Sequence, residues 1–107
     1  MINRFMRILV MFDLPVETRK NKQEYTTFRR FLINDGYDMI QYSVYSRICS
    51  NLDMAETHLK RLRFWAPRKG AVRVLLLTNK QFADAIILTG DKKYQEKRIN
   101  ESQLLLF

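Results

Sequence analysis

Residues 7–15, Arg-Ile-Leu-Val-Met-Phe-Asp-Leu-Pro, decide how this chain folds. Their almost unbroken apolar run reads as a strand buried on both faces. Pro15 ends the strand's ladder because it has no backbone N–H to donate. Asp13 therefore stands at the strand's C-terminal edge, where the core opens to water. Strand-end aspartates also serve as turn or cap residues, so residue type alone leaves both roles open.

Outward from that strand, residues 17–35 read as a helix. Thr18 is its N-cap, and Tyr25, Phe28, Phe31 and Leu32 form an apolar stripe at helical spacing. Gly36, free to take positive φ, ends it. Residues 37–49 are extended, rich in β-branched and aromatic side chains. They exceed the usual strand of ~5–6 residues, which calls for two strands or one bent strand, with the break at residues 41–43. Residues 51–66 form a second helix: Asp53 and Glu56 have capping-box spacing, and Ala55, Leu59, Leu62 and Ala66 repeat along one face. Pro67 and Gly70 stop it. Residues 71–78 are another buried strand with Arg73 at its rim, and residues 85–89 are a shorter strand candidate. Residues 91–102 are highly charged and give way to Leu-Leu-Leu-Phe at 104–107, which adds a strand to a partner's sheet edge or closes its own sheet.

This order predicts a single α+β domain over residues 1–107, a ferredoxin-like βαββαβ sandwich with an extra C-terminal strand. Two helices cover one sheet face. The other face is apolar and uncovered, and a two-fold homodimer is the simplest cover for it.

At 107 residues and 47% hydrophobic, the chain can build a core without metals or disulfides. Cys49 is the only cysteine, which excludes an intrachain disulfide or a thiolate zinc cluster and suits a reducing cytosol. No signal-peptide pattern and no run near the ~18 apolar residues of a membrane span is present, so the expected protein is soluble and cytoplasmic. Nineteen Lys+Arg against 11 Asp+Glu give a net charge of +8, which points to a polyanionic partner. Residues 57–83 contain no acid at all, while Lys60, Arg61, Arg63, Arg68, Lys69, Arg73 and Lys80 accumulate there. Such a stretch attracts phosphates by counterion release or forms a solvated helix face.

The common catalytic motifs are missing: no Gly-rich phosphate loop, no paired Cys or His, no serine elbow. His58, the only histidine, is assigned a surface or packing role, because catalysis by histidine needs an orienting partner. Phe64 and Trp65 either stack on bases or pack the core at a helix end, the commoner use of such residues. Asp13 is a single carboxylate, and Mg²⁺ chemistry on phosphodiesters normally uses several. A two-fold axis beside this edge would supply a second Asp13.

Three segments together resemble a known family: Ile-Leu-Val-Met-Phe-Asp-Leu-Pro at 8–15, the basic opening Thr18-Arg19-Lys20, and Gln41-Tyr42-Ser43-Val44-Tyr45. They resemble the small subunit of the CRISPR spacer-acquisition (adaptation) complex, a CRISPR-associated endonuclease-like family, over roughly residues 5–90. Residues 60–70, Lys-Arg-Leu-Arg-Phe-Trp-Ala-Pro-Arg-Lys-Gly, are most similar to members from loci with a single large RNA-guided effector nuclease. The resemblance implies a ferredoxin-like homodimer that holds a short DNA duplex and bridges dimers of the integrase subunit. It implies Asp13 as the metal-binding and catalytic carboxylate, with one Mg²⁺ or Mn²⁺ shared by the two Asp13 of a dimer and activity on RNA or DNA. It also implies Arg19 as the family's basic position, and Ser43 and Tyr45 on the dimer-facing strand. The expected nucleic-acid contacts are Arg19, Lys20, Arg29, Arg30, Lys60, Arg61, Arg63, Arg68 and Lys69. The poverty of acidic ligands favours a DNA-bridging scaffold over a dedicated nuclease. A stand-alone toxin-like or RNA-binding ferredoxin-fold protein is the alternative.

Overall fold

The computed structural model describes residues 4–90. The elements run β1 (Met6–Asp13), α1 (Arg19–Asn34), β2 (Asp38–Gln41), β3 (Val44–Cys49), α2 (Leu52–Trp65), β4 (Ala71–Thr78) and α3 (Asn79–Ala83). The four strands form one sheet in the order β2-β3-β1-β4, antiparallel at every junction. This βαββαβ path, in which a helix joins each central strand to an edge strand, is the ferredoxin-like arrangement.

Alternation along β1 divides the sheet. Ile8, Val10 and Phe12 turn to the helices and meet Phe28 and Leu32 of α1, Tyr45 of β3 and Ala55 and Leu62 of α2 in one core. Each such fully buried apolar side chain contributes about 1.5–3 kcal/mol by leaving water. Arg7, Leu9, Met11 and Asp13 face the other way. Ladder pairing places Ile48, Val44, Leu75 and Leu77 on that same face, and Leu75 is 47% exposed. The second face is thus apolar and largely open. Only at one end does α3 reach it, where Arg7 lies over the Phe82 ring and donates from Nε to Asn79 Oδ1.

The ends of the elements follow local chemistry. The Thr18 hydroxyl accepts from the Asn21 N–H, and Gly36 takes φ 91° just past the α1 C-cap, Asp35. The break in the extended segment falls at residues 42–43, where Ser43 adopts φ 62°.

Four expectations need correction. The cap of α2 is Asn51, whose side chain accepts from the Met54 N–H; Asp53 lies inside the first turn, so its spacing to Glu56 is not a capping box. A capping box does occur at Thr78 and Gln81, and it launches α3 directly from β4. Residues 85–89, beyond the end of α3, are not a strand and leave Ile86 and Leu88 exposed, and the remainder of the expected C-terminal strand, residues 91–107, lies outside the described residues. β4 is an edge strand with Leu75 and Leu76 partly exposed, because α2 leans on β1 and β3 and leaves the last strand half-covered. Phe64 is 81% exposed rather than packed in the core: the core face of α2 runs through Ala55, His58 and Leu62, and Phe64 points away from it.

Candidate active site

The end of β1 is closed from both sides by turns. On one side Asp13 pairs with Ala71 at the start of β4. There Gly70, at φ 86°, comes so close that a Cβ on it would sit 2.5 Å from the Asp13 carbonyl oxygen. On the other side the β1–β3 ladder ends at Met11 and Val44, and the Phe12 N–H donates to the Ser43 carbonyl at 3.1 Å. The backbone of Asp13 is therefore fixed, while its side chain is exposed on the open sheet face. Among the described residues no hydrogen bond or ion pair holds its carboxylate. A strand-end aspartate acting as a turn or cap residue would bond a nearby backbone N–H; this one does not.

Cations surround this edge unevenly. Arg73 pairs with Met11 on the open face, so it is the diagonal neighbour of Asp13 across the β1–β4 ladder, within reach of a long side chain. It was not among the expected contacts, although the two-residue offset from the Asp13 partner Ala71 would have revealed it once the pairing was known. Arg19 and Lys20 open α1 and are exposed. Lys20 shares a groove with Arg68 and Lys69, which arrive on the loop after α2. Other expected contacts are elsewhere. The Nε of Arg29 donates to the Tyr45 hydroxyl at 3.0 Å, and Arg61 is engaged by Asp35 at 2.7 Å. Arg30 and Lys60 are exposed on the helices, and Arg63 lines an apolar groove between α2 and β4. Ser43 sits in the turn beside the Asp13 edge. The ring of Tyr45 is 2% exposed and stacked 5.6 Å from Phe12 inside the protomer's own core, so its side chain faces the helices rather than the open sheet face.

A second acidic centre lies at the far end of α1. One Asp35 oxygen accepts from His58 Nδ1–H at 2.8 Å and the other accepts from Arg61, while the Arg47 guanidinium donates to the Asp35 backbone carbonyl. His58 has the orienting partner that the sequence did not reveal, yet it is buried and serves packing. Beside it the Tyr37 hydroxyl is buried without a partner. Burial first, then the Asp35 charge, pushes the Tyr37 phenol well above its ordinary value, and burial likewise raises the Cys49 thiol.

Among the described residues no group of three or more His, Cys, Asp or Glu could hold a metal. What the Asp13 edge offers is one free carboxylate. Mg²⁺ keeps several waters and accepts one or two carboxylates, so the donor type fits this ion and excludes a protein-saturated site within one chain.

Comparison with known proteins bears on the chain as a whole. The family described as "CRISPR associated protein Cas2" matches residues 6–85. A protein named CRISPR-associated endoribonuclease Cas2 from Acidovorax ebreus is 53% identical over 102 residues, covering 95% of this chain and all of that one. One of the same name from Ligilactobacillus salivarius is 46% identical over 101 residues, 94% of this chain and all of its own. A solved structure titled "Crystal structure of cas2" superposes with a TM-score of 0.51 at 18% identity, over 84% of this chain and 92% of that one, which supports the fold. With most of its length matched and near-half identity to full-length relatives, this chain belongs to the CRISPR-associated protein Cas2 family.

Proposed function

We propose that the protein acts in CRISPR adaptation as a nucleic-acid-binding homodimer whose two Asp13 carboxylates form a Mg²⁺- or Mn²⁺-dependent endonuclease site for single-stranded RNA. The observation that carries this is the free Asp13 carboxylate at the rim of a largely apolar open face, with Arg73 as its diagonal neighbour. A two-fold partner laid on Leu9, Met11, Val44 and Leu75 would bury that face and set a second Asp13 beside the first. The names of the relatives supply RNA as the substrate class.

A bound divalent ion would lower the pKa of a coordinated water and offset charge on the phosphate. This chain's own groups do the rest. Asp13 anchors the site on a backbone locked between Ser43 and Gly70. Arg73, with Arg19 and Lys20 at the start of α1, holds the phosphodiester. The water oxygen bonds to phosphorus, the bond to the leaving ribose oxygen breaks, and that oxygen takes up a proton as the attacking water loses one to solvent.

A second reading has its own support: one carboxylate per chain against exposed cations on both helices favours a scaffold that holds duplex DNA and bridges integrase subunits. A single experiment separates the two. Purified protein and Asp13→Ala are incubated with single-stranded RNA and duplex DNA, with Mg²⁺, Mn²⁺ or a chelator, and binding is measured in parallel over a salt series. The nuclease reading expects cleavage of RNA only with metal and only by the unsubstituted protein, while Asp13→Ala still binds. Cleavage that survives Asp13→Ala overturns it. Duplex binding with a steep salt slope and no cleavage of either substrate leaves the scaffold.

A further inference from the structure

A groove of about 610 Å³ runs between the first half of α1 and the end of α2. Lys20, Glu24 and Thr27 line it from α1, and Trp65, Arg68 and Lys69 from the other side. Three cations against one carboxylate make it a place for an anion, and its wall belongs to the stretch of chain that has no acid at all. It also has an aromatic platform. Trp65 lies on the Phe31 ring at 5.4 Å and 13° between planes, with Phe64 edge-on at 5.7 Å, and is still 44% exposed. An indole held flat by a second ring while bordering a basic groove loses little freedom on accepting a stacked partner. The loop that carries Arg68 and Lys69 continues to Gly70, against the Asp13 carbonyl, so the groove and the free carboxylate share one end of the molecule.

We infer that this groove is a subsite for an unpaired nucleotide of a single-stranded nucleic acid, its base stacked on Trp65 and its phosphates on Lys20, Arg68 and Lys69. Any of the bases would serve, because each offers a π-face, whereas a paired base inside a duplex keeps its faces covered by neighbours. The subsite therefore selects single strands and directs them to the Asp13 edge. This inference rests on the reading of the protein as a binder of single-stranded nucleic acid and adds the groove where one unpaired nucleotide is held and the indole on which its base stacks.

Trp65 is the only tryptophan, so its emission reports directly on the groove. The full chain, in chelator so that nothing is cut, is titrated with oligouridylate and with a blunt duplex of equal length. Saturable quenching by the single strand alone is expected. With end-labelled oligouridylate, Trp65→Ala should weaken binding about tenfold, the size of one base–aromatic stack, with Trp65→Phe recovering most of it and duplex affinity unchanged. Because Trp65→Ala also removes the Phe31 contact, Lys69→Glu with Arg68→Glu provides a second variant that keeps the platform; it should lose both affinity and quenching. Single-strand binding without quenching, or equal quenching by the duplex, overturns the subsite and leaves the nucleic-acid reading intact. Failure to bind either nucleic acid overturns both. Emission that changes with protein concentration alone identifies a second copy of the chain as the occupant and also overturns it.

Discussion

Two aspartates mark opposite ends of the molecule, and their surroundings could hardly differ more. Asp35 is saturated: His58 and Arg61 take its two carboxylate oxygens, Arg47 takes its carbonyl, and its side chain is only 10% exposed. Asp13 is held by its backbone and leaves its carboxylate to solvent. A carboxylate whose lone pairs are already taken stabilises a fold; one whose lone pairs are free on a rigid strand end is available for ligands. Charge count alone would treat the two alike.

The comparison can be broken by swapping the readouts. Asp35→Ala should cost about 3 kcal/mol in urea unfolding, because it leaves buried His58, and with it Arg61, without their carboxylate, and should leave Asp13-dependent cleavage in the folded fraction. Asp13→Ala, by contrast, should leave stability within about 0.5 kcal/mol. If Asp13→Ala proved the more destabilising, the free carboxylate would be structural after all.

Next in size is Tyr37→Phe, which removes a buried hydroxyl that has no partner. Thermal unfolding should show a gain of about 1 kcal/mol, with the larger effect in alkali. In the folded protein the phenol keeps its proton to a higher pH than in the unfolded chain, where it titrates near 10.0. The unfolded state then binds fewer protons, so stability is intact below that value and falls as the pH climbs above it. Tyr37→Phe should flatten this fall, leaving the earlier part owed to the Cys49 thiol, raised from 9.0. An unchanged alkaline slope would mean that the hydroxyl finds water.

Smallest is Arg61→Ala. Its guanidinium is 53% exposed, so solvent screens the pair, and a loss of about 0.5 kcal/mol or less is expected by denaturant titration. A loss above about 2 kcal/mol would show that Arg61, rather than His58, anchors Asp35.

These two ends were not equally legible in the sequence. β1, its proline stop, the Thr18 cap and the break at 41–43 are local signals, and each could be read where it stood. So could Asp13, as a carboxylate between an apolar run and a proline. The Asp35 centre could not, since His58 lies 23 residues away and meets it only once α1 and α2 pack side by side. Arg73 was hidden by register: its nearness to Asp13 depends on β1–β4 pairing, which no local pattern gives. Phe64 was misread for another reason. Its two-residue offset from Leu62 already puts it on the far side of the helix, and hydrophobicity outweighed that geometry. The strand expected at residues 85–89 failed because α3 carries the chain off the sheet and the apolar run after it pairs with no described strand, leaving Ile86 and Leu88 exposed.

Gly70 gives the Asp13 edge an unusual kind of vulnerability. The tip of β1 and the loop after α2 touch backbone to backbone: a Cβ on Gly70 would meet the Asp13 carbonyl oxygen first, then the Leu14 side chain and Cα. Any residue larger than glycine there meets main-chain atoms on β1 as well as a left-handed φ, so the disturbance passes to the carboxylate and to the basic loop in one step. The distance between the acid and the cations of Arg68 and Lys69 is thus set by an atom that is missing. The chain has little room to vary this spacing.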